Sequence, residues 1–87
     1  MHADHEAVSR LIKTARGQLD GILHMIEEDR YCVDICHQLM ATDAILRRAN
    51  REILRAHMTH CVHEAADGGD IGEKLDELSA LLELLSR

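Results

Sequence analysis

The stretch that decides the fold covers residues 33–66 and reads VDICHQLMATDAILRRANREILRAHMTHCVHEAA. Small and apolar residues recur in it at alternating steps of four and three, namely at Ile35, Leu39, Thr42, Leu46, Ala49 and Ile53. This heptad-like spacing places them on one face of a helix of about five turns, suited to an antiparallel helical partner. Thr42 is the polar member of the series and is small enough for a packed seam. The stretch therefore predicts a long helix from about Val33 to Ala66.

A helix is also predicted on each side of this stretch. The first runs from about Asp4 to about Glu28, and a polar interruption at residues 27–31 ends it. Its apolar face is formed by Val8, Ile12, Ala15, Leu19, Ile22, Leu23 and Ile26. Residues 67–70, which read DGGD, predict a turn, and the last helix follows from about Gly72 to Ser86.

Helix breakers are rare in this chain. It contains no proline, and no glycine lies between Gly21 and Gly68. Hydrophobic residues make up 46% of the chain, yet Tyr31 is its only aromatic residue apart from the histidines, so the apolar side chains are those that pack helix against helix. We expect an all-α subunit of three helices, forming a single domain over residues 1–87. A domain of this size buries a modest core and gains stability from pairing with a second copy.

Composition also bears on location. No apolar run approaches the roughly 18 residues that a membrane span needs, and residues 1–6 lack the features of a signal peptide. The odd number of cysteines, three, does not suggest a disulfide framework. We therefore expect a cytoplasmic protein without a membrane partner, whose thiols stay reduced and serve metal or thiol chemistry or are small buried residues.

The formal net charge of −6 is unevenly distributed. Residues 64–87 carry seven acids and two bases, whereas residues 1–63 carry nine acids and eight bases. The acidic total weakens a nucleic-acid interpretation without excluding it, because the bases cluster. The clustered bases are Arg10, Lys13 and Arg16 in the first helix and Arg47, Arg48, Arg51 and Arg55 in the second.

A metal site is suggested by His57 and Cys61, which project from one face of the long helix because they are four residues apart. Thiolate and imidazole together suit copper(I), zinc or nickel. Cys32 begins the same helix, but 25 residues of straight helix separate it from His57 by roughly 37 Å. From the spacing alone, packing or chance is the more frequent explanation of a His and a Cys four apart on a helix, and a metal role gains support only if two chains pair antiparallel.

Antiparallel pairing of two subunits brings Cys32 of one beside His57 and Cys61 of the other. The symmetry of such a dimer then gives two equivalent sites. Two thiolates and one imidazole satisfy three-coordinate copper(I) but leave zinc, which prefers four ligands, one short.

Four motifs together resemble the copper-sensitive operon repressor family (CsoR-like). They are residues 15–22 (ARGQLDGI), 25–35 (MIEEDRYCVDI), 48–51 (RANR) and 57–62 (HMTHCV), and the similarity extends from about Val8 to Leu85. The resemblance implies an antiparallel dimer, paired again into a dimer-of-dimers tetramer. It also implies a repressor that binds operator DNA without its inducer and releases it with the inducer bound.

The resemblance further implies which residues form the sensing site. The copper sensors of the family carry Cys, His and Cys where this chain has Cys32, His57 and Cys61. A tyrosine and a glutamate that support these ligands fall on Tyr31 and Glu77. Nickel and cobalt sensors are similar but add a histidine near the amino terminus, at a position that aligns just before Met1.

Two other classes of inducer are distinguished by the same positions. Formaldehyde sensors typically lack the third ligand, here Cys61, and sulfur sensors generally lack the histidine, here His57. Copper(I) is therefore the expected inducer, with zinc or nickel less favoured. Cys36 departs from the family pattern: it either fills a gap or acts as an accessory thiolate that favours zinc or a thiol-redox response.

The remaining histidines are interpreted mainly as solvated side chains. His60 and His63 flank Cys61 on other sides of the helix, and His2 and His5 lie in a terminus expected to be flexible, although either supplies a fourth ligand in an alternative interpretation. DNA contacts are expected from Arg10, Lys13, Arg16, Gln18, Arg47, Arg48 and Arg51. Of these, the family resemblance implies Lys13, Arg16 and Arg51; ordinary solvated charge is the alternative.

The sequence thus predicts a copper(I)-responsive transcriptional repressor. A thiol- or persulfide-responsive repressor of the same fold, using Cys32 and Cys61, is the first alternative, and a metal-buffering helical protein without a DNA role is the second. An enzyme is not expected, because no nucleophile–base arrangement or phosphate-binding loop is visible.

Overall fold

Three helices form the chain in this computed structural model, which describes residues 1–68 and 71–85. They are α1 (His5–Glu27), α2 (Cys32–Ala66) and α3 (Ile71–Leu85), and the described residues contain no strand. The all-α prediction is confirmed, and each described helix boundary lies within about two residues of its predicted position, the usual variation of helix ends. Residues 69–70 of the predicted turn and the predicted end at Ser86 lie outside the described residues.

Two compact units divide the chain, and α2 runs through both. We call Asp4–Asn50 the hairpin unit, and Met1–Ala3 with Arg51–Arg87 the site unit. The hairpin unit contains α1 and the first part of α2. The site unit contains the rest of α2 and α3. Because one helix is shared, the single-domain organisation stays a prediction.

Asp4 determines where α1 begins. Its backbone is extended, with φ −64° and ψ 112°, and its carboxylate accepts hydrogen bonds from the backbone N–H groups of Glu6 at 2.9 Å and Ala7 at 3.3 Å. These are two of the donors that a helix start leaves without an intrahelical partner. Asp4 is thus a conventional N-cap, and its negative charge also suits the positive end of the helix dipole.

Asp29 determines where α1 ends. Its φ of 54° lies in the left-handed region, and its N–H donates to the carbonyl of Ile26 at 3.0 Å. The next N–H, that of Arg30, donates to the carbonyl of Met25 at 3.0 Å. This pair of hydrogen bonds is a Schellman motif, which satisfies two free carbonyls at the helix end. The motif reverses the chain, and α2 begins at Cys32.

A line of residues spaced by seven forms the buried seam of the hairpin unit. Val8, Ala15 and Ile22 are buried on α1, and Thr42 and Ala49 are buried on α2. The Thr42 hydroxyl donates to the side-chain carbonyl of Gln18 at 2.8 Å, linking the two helices. A polar side chain is therefore accommodated in the seam because its hydroxyl has a partner.

The predicted apolar face of α1 is only partly buried. Its other large side chains remain exposed in the single chain, namely Ile12, Leu19, Leu23 and Ile26. Two helices that pack together bury the narrow line at which they meet, whereas the apolar face predicted from the sequence is wider than that line. On α2, Leu39 and Leu46 are exposed for the same reason.

In the site unit, Ala3, Leu54 and Cys61 are buried. On α3, Ile71, Leu75 and Leu82 remain exposed. None of the described helices is both long and apolar enough to span a membrane.

Candidate metal centre

His57, Cys61 and Glu77 form a compact cluster in the site unit. His57 and Cys61 are one turn apart on α2, and Glu77 reaches them from α3. Each of the three side chains offers one potential ligand atom. In the part of the chain that the structure describes, these three atoms all lie within 4.8 Å of one another. The Cys61 side chain is almost completely buried, at 1% exposure, whereas His57 and Glu77 are half-buried. The cluster therefore offers sulfur, nitrogen and oxygen donors at one place.

A hydrogen bond connects His57 to Glu77. The ring Nε2 of His57 contacts Oε1 of Glu77, and because an ionised carboxylate only accepts, Nε2 carries the proton and donates it. This hydrogen bond lowers the pKa of Glu77, with the nearby Lys74 as a further cause. A neutral His57 ring held in this way leaves Nδ1 as the nitrogen with a lone pair for an ion.

Cys61 is protonated more firmly than a solvated cysteine. Burial raises the pKa of its thiol, and the negative charge of Glu77 raises it further, because both disfavour the thiolate. A buried thiol of this kind is a poor nucleophile but becomes a strong ligand when a cation replaces its proton.

Lys74, a residue of α3, joins that helix to α2 next to this cluster. Its ammonium lies 2.5 Å from Oε2 of Glu64 on α2 and 3.7 Å from Oε2 of Glu77 on α3. The pairing with Glu64 raises the pKa of Lys74 and lowers that of Glu64. Glu64 also accepts from His60, at 3.2 Å on its other oxygen. Both carboxylates of the site unit that face Lys74 are thus held ionised.

His2 lies against the same part of α2. Its ring stacks on that of His60 with centroids 3.7 Å apart and an angle of 17° between the planes, and it lies 5.6 Å from the ring of His57. Loss of water from the stacked ring lowers the pKa of His2, and the neighbouring His60 lowers it further. His2 was expected to be mainly a solvated residue of a flexible terminus, whereas the structure places it beside two histidines of α2.

The other predicted site residues lie in the hairpin unit. Cys32 is the first residue of α2, and both Cys32 and Cys36 are exposed. Tyr31 precedes the helix with an exposed side chain, and its carbonyl accepts from the backbone N–H groups of Asp34 and Ile35. None of the three belongs to the His57–Cys61–Glu77 cluster. A site that combines Cys32 with His57 and Cys61 stays a prediction.

The predicted DNA contacts are mostly exposed side chains on α1 and α2. Arg10 pairs with Glu6 at 3.4 Å, and Arg47 pairs with Asp43 at 2.9 Å. Gln18 differs from the rest, because it is half-buried and its carbonyl is engaged by Thr42. The remaining exposed bases of this set are Lys13, Arg16, Arg48 and Arg51.

Comparison with known proteins gives the family. The sequence pattern of the family described as "Metal-sensitive transcriptional repressor" matches residues 4–84. The chain belongs to this family. The resemblance stated from the motifs is therefore confirmed, and the family consists of transcriptional regulators.

Several relatives are named for copper. The copper-sensing transcriptional repressor CsoR of Mycobacterium ulcerans is 49% identical over 72 residues, which are 83% of this chain and 61% of that protein. CsoR of Bacillus subtilis is 36% identical over 75 residues, covering 86% of this chain and 74% of the relative. The match to the M. ulcerans protein thus spans about three fifths of its length.

The fold has a close counterpart among solved structures. The nickel-responsive transcriptional regulator InrS superposes with a TM-score of 0.88 at 28% identity, covering 98% of this chain and 96% of that one. Members similar to this chain are therefore named for two different metals.

Two features of the site unit were not evident from the sequence. The ion pair of Glu64 with Lys74 joins residues ten apart on either side of a turn, a separation with no periodic signal. The stacking of His2 on His60 joins residues far apart in the chain. Glu77 was expected from the family resemblance as a supporting residue, and the structure also brings its carboxylate among the candidate ligand atoms.

Proposed function

We propose that this chain is a copper(I)-responsive transcriptional repressor, which binds operator DNA in the apo form and dissociates when copper(I) is bound. The observation that carries the proposal is the cluster of a buried Cys61, a half-buried His57 and Glu77, whose carboxylate accepts a hydrogen bond from the His57 ring. Copper(I) is the inducer because the relatives at 36–49% identity are named copper sensors.

The donor set fits a soft cation. The Cys61 sulfur and the His57 Nδ1 are donors that copper(I) prefers, whereas the Glu77 carboxylate is a hard donor suited to other ions. We therefore assign Glu77 the role of accepting a hydrogen bond from Nε2 and orienting His57, an arrangement common at metal-binding histidines. The third ligand we propose is Cys32 of a second subunit, and Tyr31 of that subunit lies next to it in sequence.

Exposed apolar residues support self-association. Large side chains that the single chain leaves in water occur on all three helices, for example Leu23, Leu46 and Leu75. Exposed apolar side chains on every helix favour an interaction face, because a second copy of the chain would remove them from water. We propose that two chains cover these faces as an antiparallel dimer and that dimers pair into a tetramer.

Operator DNA is held by exposed bases of α1 and α2, with Lys13, Arg16 and Arg51 as the principal phosphate contacts and Arg10, Gln18, Arg47 and Arg48 beside them. An acidic chain binds DNA when its bases are gathered on one face, because phosphate contacts act over short distances in salt. Release follows when the metal-bound subunits favour a shape in which these bases no longer match the duplex. Copper(I) and DNA must then weaken each other's binding reciprocally.

The test of the proposed inducer compares two histidine variants of α2. Losing a residue that only supports a metal ligand typically lowers metal affinity by roughly 10–100-fold. Because His57 is a proposed ligand, His57→Ala should lower the copper(I) affinity by more than this. Copper(I) should then no longer release an operator fragment from the variant. His63→Ala removes an exposed histidine of the same helix and should behave like the wild type. Competition titration under reducing conditions and fluorescence anisotropy of labelled DNA measure the two effects. Normal copper-dependent release by His57→Ala contradicts the proposal.

The phosphate contacts are tested by salt dependence. Arg51→Gln should weaken operator binding and make the slope of log affinity against log salt shallower by about one for each phosphate that is no longer neutralised. Arg30→Gln, which removes a base paired with Glu28, should leave the slope unchanged. An unaltered slope in Arg51→Gln means that Arg51 does not contact phosphate.

Nickel is the second candidate inducer, and His2 is the observation that favours it. A histidine beside His57 and His60 supplies the additional imidazole that suits a borderline ion, and the similar structure of InrS belongs to a nickel-responsive regulator. If nickel(II) releases the operator and copper(I) does not, and His2→Ala abolishes the response, nickel replaces copper in the proposal.

A persulfide-responsive repressor using Cys32 and Cys61 is less well supported. Such a switch needs an accessible thiolate, whereas burial raises the pKa of Cys61. Mass spectrometry after treatment with a sulfide donor separates this case. Modification at both cysteines together with loss of DNA binding would favour it over metal sensing.

A further inference from the structure

Lys74 lies on α3 and has the least exposed charged side chain at the cluster, with 23% of it in contact with water. The ammonium group contacts carboxylates on two helices, Glu64 on α2 and Glu77 on α3. Glu77 in turn divides its two oxygens, with Oε1 on His57 and Oε2 facing Lys74. The side chains therefore form a continuous series of polar interactions from His57 to Glu77, Lys74 and Glu64.

We propose that Lys74 is a positioning residue that couples the occupancy of the His57–Cys61 site to the placement of α3 on α2. The inference rests on the proposed metal-sensing function and assigns to that site a residue that touches no ligand atom. Lys74 acts through Glu77, the carboxylate that holds the His57 ring.

Charge explains why Lys74 is needed in the apo chain. Glu64 and Glu77 both face the ammonium group, so without Lys74 two carboxylates would approach each other with no cation between them. Their repulsion would favour a larger separation of α3 from α2. With Lys74 present, its pairing with Glu64 joins α3 to α2, and its contact with Glu77 lies within α3.

The divided carboxylate of Glu77 explains how the site reaches Lys74. A cation held at His57 Nδ1 would make the ring a stronger donor at Nε2 and would concentrate the negative charge of Glu77 on Oε1, which already contacts the ring. Oε2 of Glu77, 3.7 Å from Lys74, would then attract the ammonium group less, and Lys74 would pair mainly with Glu64. The strength of the contact between Glu77 and Lys74 would therefore differ between the two states of the site, and this difference is what couples the site to α3.

The first arm of the test uses the apo protein and hydrogen–deuterium exchange of the α3 amides. Lys74→Met, which keeps a long side chain without its charge, should raise the exchange rate over residues 71–84 severalfold. Lys74→Arg should restore slow exchange. Arg30→Met removes a base from an ion pair outside the site unit and should have no effect on α3. Unchanged exchange in Lys74→Met overturns the proposal.

The second arm separates binding from coupling. Lys74→Met should bind copper(I) within about threefold of wild-type affinity, but the copper-induced loss of operator affinity should shrink by about tenfold, as expected when a coupling residue is removed. Combining Lys74→Met with Glu64→Gln should reduce this copper-induced effect little further, because both changes break the same ion pair. If copper(I) lowers the operator affinity of Lys74→Met as much as that of the wild type, the assignment is overturned.

The two arms also distinguish failure of this inference from failure of the proposed function. If wild-type operator binding does not respond to copper(I), the proposed function fails, while the apo exchange experiment still decides whether Lys74 holds α3. If Lys74→Met does not fold by circular dichroism, Glu64→Gln tests the same ion pair from α2. If the α3 amides of Glu64→Gln exchange as slowly as in the wild type, and copper(I) lowers its operator affinity to the same extent, the role of Lys74 is refuted.

Discussion

Cys61 combines near-complete burial with an acidic neighbour, Glu77, and both raise the pKa of its thiol. At neutral pH the group is therefore a thiol, not a thiolate, and any ion that it binds must displace the proton. The site thus couples metal affinity to pH at a single residue.

Copper(I) affinity should rise with pH as a consequence. Because the pKa of Cys61 is raised, the proton is bound throughout the neutral range, and the affinity should increase about tenfold per pH unit for each proton released until the pH passes the thiol pKa. Copper(I) competition titrations at several pH values measure the slope. Cys61→Ser should reduce the slope by one proton, and an equal slope in both proteins would show that Cys61 is not a ligand.

At the level of elements, the end of α1 shows a local conflict. The Schellman motif requires a residue in the left-handed region, and Asp29 adopts it with a φ of 54°. An L-residue in this conformation is less stable than glycine, although Asp tolerates it better than most residues.

Replacing Asp29 should therefore stabilise the protein. Asp29→Gly is expected to raise the free energy of unfolding by about 1 kcal/mol, because glycine has no Cβ to clash in this conformation. Asp20→Gly, at an exposed position inside α1, should lower it by about 0.3 kcal/mol, the difference in helix propensity between aspartate and glycine. Thermal and urea unfolding at one protein concentration measure both changes. A loss of stability in Asp29→Gly would mean that the Asp29 side chain has a compensating role.

The sequence predicted the helices well because their signals are local. The polar residues 27–31 and the glycines after Ala66 lie close to the observed ends of α1 and α2. Burial within the helices was predicted less well. Spacing placed Ile12 and Ala15 on the same face, but only Ala15 lies on the line where α1 meets α2. Which residues of a wide apolar face are buried depends on the packing partner, and a single helix does not encode it.

The same distinction applies to the candidate site. His57 and Cys61 are four apart on one helix, so their proximity follows from helix geometry alone. Glu77 was expected from the family resemblance, because nothing in its spacing points to His57. The interactions of Lys74 and His2 depend on how α3 and the amino-terminal residues pack on α2, which no local pattern specifies.

At the scale of the whole molecule, the single chain leaves much of its apolar surface in water. Leu46 is 42% exposed on α2, and Leu19 is 45% exposed on α1. Fully burying a leucine contributes about 1.5–3 kcal/mol, so covering the exposed part of each of these side chains contributes about 1 kcal/mol, and a partner that covers several of them adds a few kcal/mol. The proposed copper site also needs Cys32 from that partner, which links assembly to metal binding.

Leu46→Glu should therefore dissociate the assembly and weaken copper(I) binding together. A charge at this position should be tolerated in the isolated helix but not in an apolar interface. Ala44→Glu introduces the same charge at another exposed position of α2 and serves as the control. Light scattering after size exclusion and copper(I) titration provide the two measurements. A monomeric Leu46→Glu chain with wild-type copper(I) affinity would exclude a site shared between subunits.

The stacking of His2 on His60, close to His57, has a practical consequence for producing the protein. An amino-terminal polyhistidine affinity tag would put a row of additional imidazoles next to the candidate ligands, and nickel leached from a chelating resin would be captured there. A metal titration of such material would measure binding to the tag together with binding to the candidate site. Tag-free protein, purified by ion exchange on the strength of its acidic charge, avoids this error.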